Sequence, residues 1–167
     1  MAADRKYEFI ADKEKSTLTI KREFGAEQQI VWDFHTKSEL LDKWFAPKPL
    51  TTSTSHMDFR SGGYWHYAMI TPEGDKYWNR LDYISIDAIT GYSAMDGFCD
   101  ASGVVNPGMP RSKWEVTFSG TAGKISVTTK VIYASADDLQ KSIDMGLEAG
   151  MASTMERLDE LLPTPVA

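Results

Sequence analysis

The stretch that decides the fold is SADDLQKSIDMGLEAGMASTMERLDELL, residues 135–162. Its apolar side chains recur every three or four residues, which is the spacing of one face of an α-helix, so the sequence predicts one long helix here. The Ser135 side chain can cap the first turn, with Asp138 completing a capping box three residues later. Pro163 forbids the helix from continuing.

Two glycines, Gly146 and Gly150, lie inside this predicted helix. A glycine within a helix costs about 1 kcal/mol relative to alanine. Something must offset that cost, either close packing of the backbone or space left for a ligand. The flexible side chains of Met145, Met151 and Met155 suit an adaptable wall beside such a space.

Most of the chain before this helix is predicted to be strand. Residues 17–24 alternate between apolar and polar side chains, and two short helices are expected at 26–35 and 38–45. Short turns then connect consecutive strands, which favours an antiparallel meander. The six further strands are expected at 51–59, 63–70, 76–87, 91–98, 112–119 and 124–133.

The order β-α-α-β6-α predicts an α+β fold. A twisted, seven-stranded antiparallel sheet wrapped around the C-terminal helix is the simplest way to bury both apolar faces. We expect residues 1–15 to be a lead-in, 16–162 a single domain and 163–167 a tail.

Composition and charge exclude several classes of function. The net charge is −6 and no basic cluster is visible, so nucleic acid is not expected as a partner. No apolar run approaches the length of a membrane span. The three histidines and single cysteine lack metal-ligand spacing, so neither a metal nor another cofactor is expected. The lone Cys99, and an N-terminus without a signal peptide, favour a cytoplasmic location.

Three segments together resemble a known family. They are REFGAEQQIVWDFHTKSELLDKWFAPK (22–48), MDFRSGGYWHYAM (57–69) and GLEAGMASTMERLDELL (146–162). The first carries Trp32, Trp44, Phe45 and Pro47 at matching positions. The chain resembles the START/Bet v 1-like helix-grip (SRPBCC) superfamily, and within it the group related to the C-terminal domain of the activator of Hsp90 ATPase.

The resemblance implies a cavity between the sheet and the closing helix. Members of the superfamily bind apolar or aromatic small molecules there, and some relatives catalyse cyclisation or hydrolysis without a shared catalytic motif. Met151 stands where the closing helix of the family often has Trp, which implies a cavity of different shape. A solid core is the alternative, because aromatic side chains on strands usually pack in one.

Alternate residues of a strand share a face, so the aromatic residues of the sheet fall into sets. Trp65, Tyr67 and Met69 match the family motif and are expected to point inward. Two further sets are expected to line the same interior. They are Trp78 with Ile84 and Ile86, and Trp114 with Val116 and Phe118. The predicted ligand-binding residues are Trp44, Trp65, Tyr67, Met69, Trp78, Arg80, Trp114, Phe118, Leu147, Met151 and Thr154.

Several polar side chains have both a functional and a structural interpretation. Arg80 and Asp82 share a face and could orient a polar end of a ligand, but an exposed ion pair is favoured because charged residues are rarely buried. Asp96 could be a general acid or base, but a solvated carboxylate is favoured. His66 falls opposite Trp65 and is expected to point to solvent. Cys99 is expected to be a structural thiol.

The sequence is compatible with three functions. The first is binding of a hydrophobic small molecule in the cavity. The second is a cyclase or hydrolase using that cavity, although no catalytic constellation is visible and two converging polar side chains would be needed. The third is a protein-interaction module like the Hsp90-activating relative. A homodimer is possible.

Overall fold

The computed structural model describes residues 7–163. The strands are β1 (Tyr7–Asp12), β2 (Thr17–Phe24), β3 (Thr51–Met57), β4 (Tyr64–Ile70), β5 (Lys76–Asp87), β6 (Gly91–Phe98), β7 (Ser112–Thr121) and β8 (Lys124–Tyr133). The helices are α1 (Gln28–Thr36), α2 (Ser38–Leu41), α3 (Ala136–Asp144) and α4 (Leu147–Leu161).

The strands form one antiparallel sheet in the order β1-β2-β8-β7-β6-β5-β4-β3. The helices cover its inner face, which confirms the α+β helix-grip fold. The sheet has eight strands instead of the seven predicted, because Tyr7–Asp12 pairs with β2 in the register Phe9 to Ile20. The expectation that residues 1–15 are a lead-in outside the domain is therefore corrected for Tyr7–Asp12, whereas residues 1–6 lie outside the described part. The exposed Ile10 on the outer face obscured the alternation of this strand.

The closing helix is two helices, which corrects the prediction of a single long one. The Ser135 hydroxyl caps α3 as expected, accepting a hydrogen bond of 3.1 Å from the Asp138 N–H. Gly146 separates α3 from α4 and has a φ of +88°. Glycine adopts this left-handed conformation without the clash that a Cβ would cause. Gly146 therefore lies between two helices, so the penalty for a glycine inside a helix does not apply to it.

The α4 helix is fixed to both sides of the fold by arginines. The buried Arg22 of β2 reaches Glu156 on α4 at 3.0 Å. Arg157 of α4 donates hydrogen bonds of 2.7 and 2.6 Å to the carbonyl oxygens of Ala46 and Leu50. The two Arg157 bonds hold the segment that follows α2 against α4.

The core fills one part of the space between the sheet and the helices. Trp32 of α1 lies at its centre, with ring centroids 5.2 Å from Phe118 and 5.8 Å from Phe59. Leu139 and Leu158 bring α3 and α4 into the same cluster. Within residues 7–163, no helix is long and apolar enough to cross a membrane.

Candidate functional site

The rest of the space between the sheet and α3–α4 is a cavity of about 680 Å³. It lies where the β4–β5 hairpin and the β6–β7 loop approach the junction of α3 and α4. Its sheet side comes from one end of β4, β5, β6, β7 and β8, and its other side from α3, α4 and residues 45–50. The cavity is thus bounded by the helix break at Gly146 and by the segment that Arg157 holds.

Most of the wall is apolar. Met69 and Phe98 contribute from the sheet, and Leu147 and Met151 contribute from α4. Gly150 faces Pro47 across one corner, and a Cβ added at Gly150 would lie 3.8 Å from the Pro47 ring. The wall therefore has room for a methyl group at Gly150, in ordinary van der Waals contact with Pro47. The remaining apolar contributors are Phe45, Pro49, Leu50, Pro72, Pro110, Trp114 and Met145.

Polar groups form a row on the sheet side of the cavity. Asp96 of β6 is opposite Ser112 of β7, which in turn is opposite Tyr133 of β8. The Asp96 Oδ1 accepts bonds from the Ser112 hydroxyl at 2.6 Å and the Ser112 N–H at 3.1 Å. The Trp114 indole N–H donates to the same hydroxyl oxygen at 3.1 Å. Because an indole N–H only donates, the Ser112 O–H is left to point at Asp96.

Burial shifts the acidity of these groups. Desolvation raises the pKa of the Asp96 carboxyl above its usual range, although the hydrogen bonds from Ser112 oppose the rise. Desolvation also raises the pKa of Tyr67 and Tyr133, and the negative charge of Asp96 adds to both shifts. Asp96 is half-buried and lines the cavity, which corrects the expectation of a carboxylate out in solvent. Its alternation with Tyr92 and the buried Ala94 places it on the inner face.

Six of the predicted ligand-binding residues line this cavity. They are Tyr67, Met69, Trp114, Leu147, Met151 and Thr154. Three others are packed in the core instead. Trp44 donates its indole N–H to the Phe34 carbonyl at 2.9 Å, Trp65 donates to Thr54 Oγ1 at 3.0 Å, and Phe118 packs on Trp32. For these three, the solid-core alternative holds.

Trp78 and Arg80 are not inside, which corrects the prediction for both. Trp65 is opposite Leu81 in the β4–β5 register, so odd-numbered residues of β5 face inward up to the bulge after Tyr83. Trp78 and Arg80 consequently lie on the outer face. The inward residue between them is Asn79, which lines the cavity. The sequence shows which residues of a strand share a face, but only the register with a neighbour decides which face that is.

The outer face carries a polar cluster built around Arg80. Arg80 donates to the Asp82 carboxylate at 2.6 Å and to the Gly103 carbonyl at 2.8 Å. Arg111 reaches the same carboxylate at 2.7 Å. His66 is buried, not solvent-facing as predicted, because the loop between β6 and β7 covers it and it bonds the Asp100 carbonyl at 3.0 Å. The cluster pins this loop to the sheet.

Two other groups have structural surroundings. His35 is buried between Trp44 and Phe118, and its Nδ1 lies 2.7 Å from the Val31 carbonyl oxygen. Desolvation lowers the pKa of His35 to about 4, so the ring is neutral at pH 7. Cys99 is half-buried in the β6–β7 loop, and desolvation raises its pKa. Residues 7–163 contain no group of three or more His, Cys, Asp or Glu side chains that could hold a metal ion.

The fold has close relatives among solved structures. Protein Ms6760 from Mycobacterium smegmatis is 31% identical, with a TM-score of 0.86 over 96% of this chain and 98% of that one. A protein from Staphylococcus epidermidis is 30% identical, with a TM-score of 0.80 over 91% and 92%. A protein from Arthrobacter aurescens is 25% identical, with a TM-score of 0.88 over 95% and 92%. No curated protein sequence matches the chain.

The family is shown by the sequence itself. The model of the family described as "Activator of Hsp90 ATPase homolog 1-like protein" matches residues 26–163. The match begins just before α1 and runs through the end of α4, so it includes every element that bounds the cavity. This chain therefore belongs to the activator of Hsp90 ATPase homolog 1-like family, within the helix-grip superfamily.

Proposed function

We propose that this protein binds an apolar or aromatic small molecule in the cavity between the sheet and the α3–α4 junction. The observation that carries the proposal is a cavity of about 680 Å³ whose wall is mostly apolar and aromatic. Small-molecule sites in proteins typically span about 300–1,000 Å³ and combine such walls with a few polar groups. A cavity of this volume is large enough for a drug-sized molecule.

The proposal is tested by ligand-induced stabilisation. A ligand that binds only the folded state raises the melting temperature as its concentration passes Kd. We expect neutral aromatic compounds, such as flavonoids and polyketide-like rings, to raise the melting temperature of the wild-type protein. A screen across these compounds and neutral lipids in which none stabilises the protein would contradict the proposal.

A matched pair of variants locates the binding. Met151→Trp introduces a larger side chain at the cavity wall, whereas Ala149→Trp introduces it at an exposed position of the same helix. The first variant should reduce ligand affinity at least tenfold and the second should leave it unchanged. Equal affinities in the two variants would place the ligand elsewhere.

Catalysis in the same cavity is the second candidate. It is favoured by one observation, which is that Asp96 has a perturbed pKa and lies beside Tyr67 and Tyr133. The test is whether the wild-type protein converts a bound compound to a product, and whether the Asp96→Asn variant loses that activity. A role in protein recognition, suggested by the name of the family, has no comparable support among residues 7–163. Their exposed large apolar side chains are scattered over β1, β5, the β6–β7 loop, the α3–α4 junction and the end of α4.

A further inference from the structure

We infer that the cavity selects ligands that carry an amine, with the ammonium group seated against the Asp96 carboxylate. The inference rests on the proposed ligand-binding function and adds the chemical class of the ligand. It is carried by the charges and the hydrogen bonds of the cavity wall.

The charged side chains among the described lining residues are both acidic. Asp96 lies on the sheet side and Glu73 belongs to the β4–β5 hairpin, whereas no Lys, Arg or His of residues 7–163 lines the cavity. A ligand carboxylate or phosphate would meet like charge with no cation to neutralise it, which disfavours binding strongly in a site of low dielectric. The wall therefore discriminates against anionic ligands such as fatty acids.

The cation whose charge acts on Asp96 is Arg111, which is paired with a carboxylate on the other face of the sheet. Arg111 lies close enough to lower the pKa of Asp96, but its Nε bonds the Asp96 backbone carbonyl at 3.0 Å. Its terminal nitrogen is paired with Asp82 at 2.7 Å. Among residues 7–163, Asp96 thus has no cationic partner of its own within the cavity.

The hydrogen bonds around Asp96 hold its carboxyl as an acceptor. The Trp114 indole N–H donates to the Ser112 hydroxyl oxygen, and the Ser112 hydroxyl donates to Asp96 Oδ1. The Ser112 backbone N–H donates to the same Oδ1. An ionised carboxylate has about four acceptor positions, and these donors leave part of that capacity free. An ammonium group supplies up to three donors and a positive charge, and so replaces the solvation that Asp96 lost on burial.

The aromatic neighbours of Asp96 suit the same ligand class. Tyr67, Trp114 and Tyr133 line the cavity with it. A desolvated ammonium is attracted to the faces of such rings. The combination of one carboxylate with three aromatic side chains distinguishes an amine from a neutral alcohol of equal shape.

The test uses three probes with the same ring system, namely 1-naphthylmethylamine, 1-naphthylmethanol and 1-naphthoic acid, titrated calorimetrically at pH 7. We expect the amine to bind at least tenfold more tightly than the alcohol, and the acid to bind most weakly. Asp96→Asn should abolish the preference for the amine over the alcohol. Glu73→Gln, which removes the other acidic group of the wall, should retain most of it.

The outcomes separate this inference from the proposed function. Equal binding of the amine and the alcohol, or tightest binding of the acid, would overturn the inference and leave the cavity as a general apolar site. Failure of all three probes to bind the wild-type protein, with a neutral compound of the thermal screen still binding, would overturn the inference alone. Failure of the thermal screen as well would contradict the proposed function. If the melting curve of Asp96→Asn shows that it does not fold, the affinities of the three probes for the wild-type protein test the inference alone. The amine must then bind more tightly than the alcohol and the acid.

Discussion

Replacement of His35 by asparagine should remove a large part of the acid sensitivity of this protein. His35 is buried between two aromatic rings, and its pKa is lowered to about 4 because burial disfavours the imidazolium. An asparagine amide can still donate a hydrogen bond to the Val31 carbonyl, but it does not titrate. The substitution therefore separates the proton-linked effect of the ring from its hydrogen bond.

The direction of the change in folding stability with pH follows from the number of protons that the folded and unfolded chains bind at His35. Between pH 6.5 and 4 the unfolded chain binds a proton at His35 and the folded chain does not, so folding stability falls as the pH falls. Above about pH 6.5, both states carry the neutral ring and stability is unaffected. With the folded pKa at about 4, the loss between pH 7.5 and 5.5 is about 1.3 kcal/mol, and by pH 4.5 it is about 2.5 kcal/mol.

The measurement is urea denaturation of the wild-type protein and His35→Asn at pH 7.5, 5.5 and 4.5. The variant loses ring contacts, which lowers its stability at pH 7.5, so the informative quantity is how the difference between the two free energies of unfolding changes with pH. That difference should shrink by about 2.5 kcal/mol from pH 7.5 to pH 4.5. A difference that stays constant would refute a buried, neutral His35.

The remaining predictions concern the two glycines and the outer cluster. Gly146→Ala should destabilise the protein by about 1–2 kcal/mol, because alanine is strained at a φ of +88°. Gly150→Ala, inside α4 with van der Waals space at its Cβ, should instead be neutral or stabilise by about 0.5–1 kcal/mol in the same denaturation assay. Equal effects would mean that the helix break has no conformational role. Arg80→Ala removes the bonds to Asp82 and the Gly103 carbonyl, so amide hydrogen exchange in the β6–β7 loop should accelerate while that of the core strands does not. Unchanged exchange there would show that other contacts hold the loop.

Alternation and turn residues were sufficient to locate the strands from β3 to β8. Each predicted range agrees with the observed one to within about two residues at either end. These strands have local signals, since apolar and polar residues alternate and Gly or Pro marks the turns. The first strand was missed because Ile10 makes its outer face apolar too.

The candidate site was harder to predict because it depends on register and on conformation. The alternation within β5 groups Trp78 with Arg80, yet the pairing of Trp65 with Leu81 is what places both outside. The helix break could not be inferred from periodicity alone, since Gly146 interrupts the pattern of neither α3 nor α4. In β6 the sequence groups Asp96 with Tyr92 and Ala94, but the burial of Ala94, which marks this face as the inner one, is known only from the structure.

The attachment of the β6–β7 loop has a thermodynamic consequence for ligand association. The loop is held on the outer face by Arg80 and His66, yet Pro110 near its end forms part of the cavity wall. That part of the rim is already ordered before a ligand arrives, so association does not incur the entropy loss of ordering it. Substitutions on the far side of the sheet would then weaken ligand affinity by loosening the rim, without touching any atom that contacts the ligand.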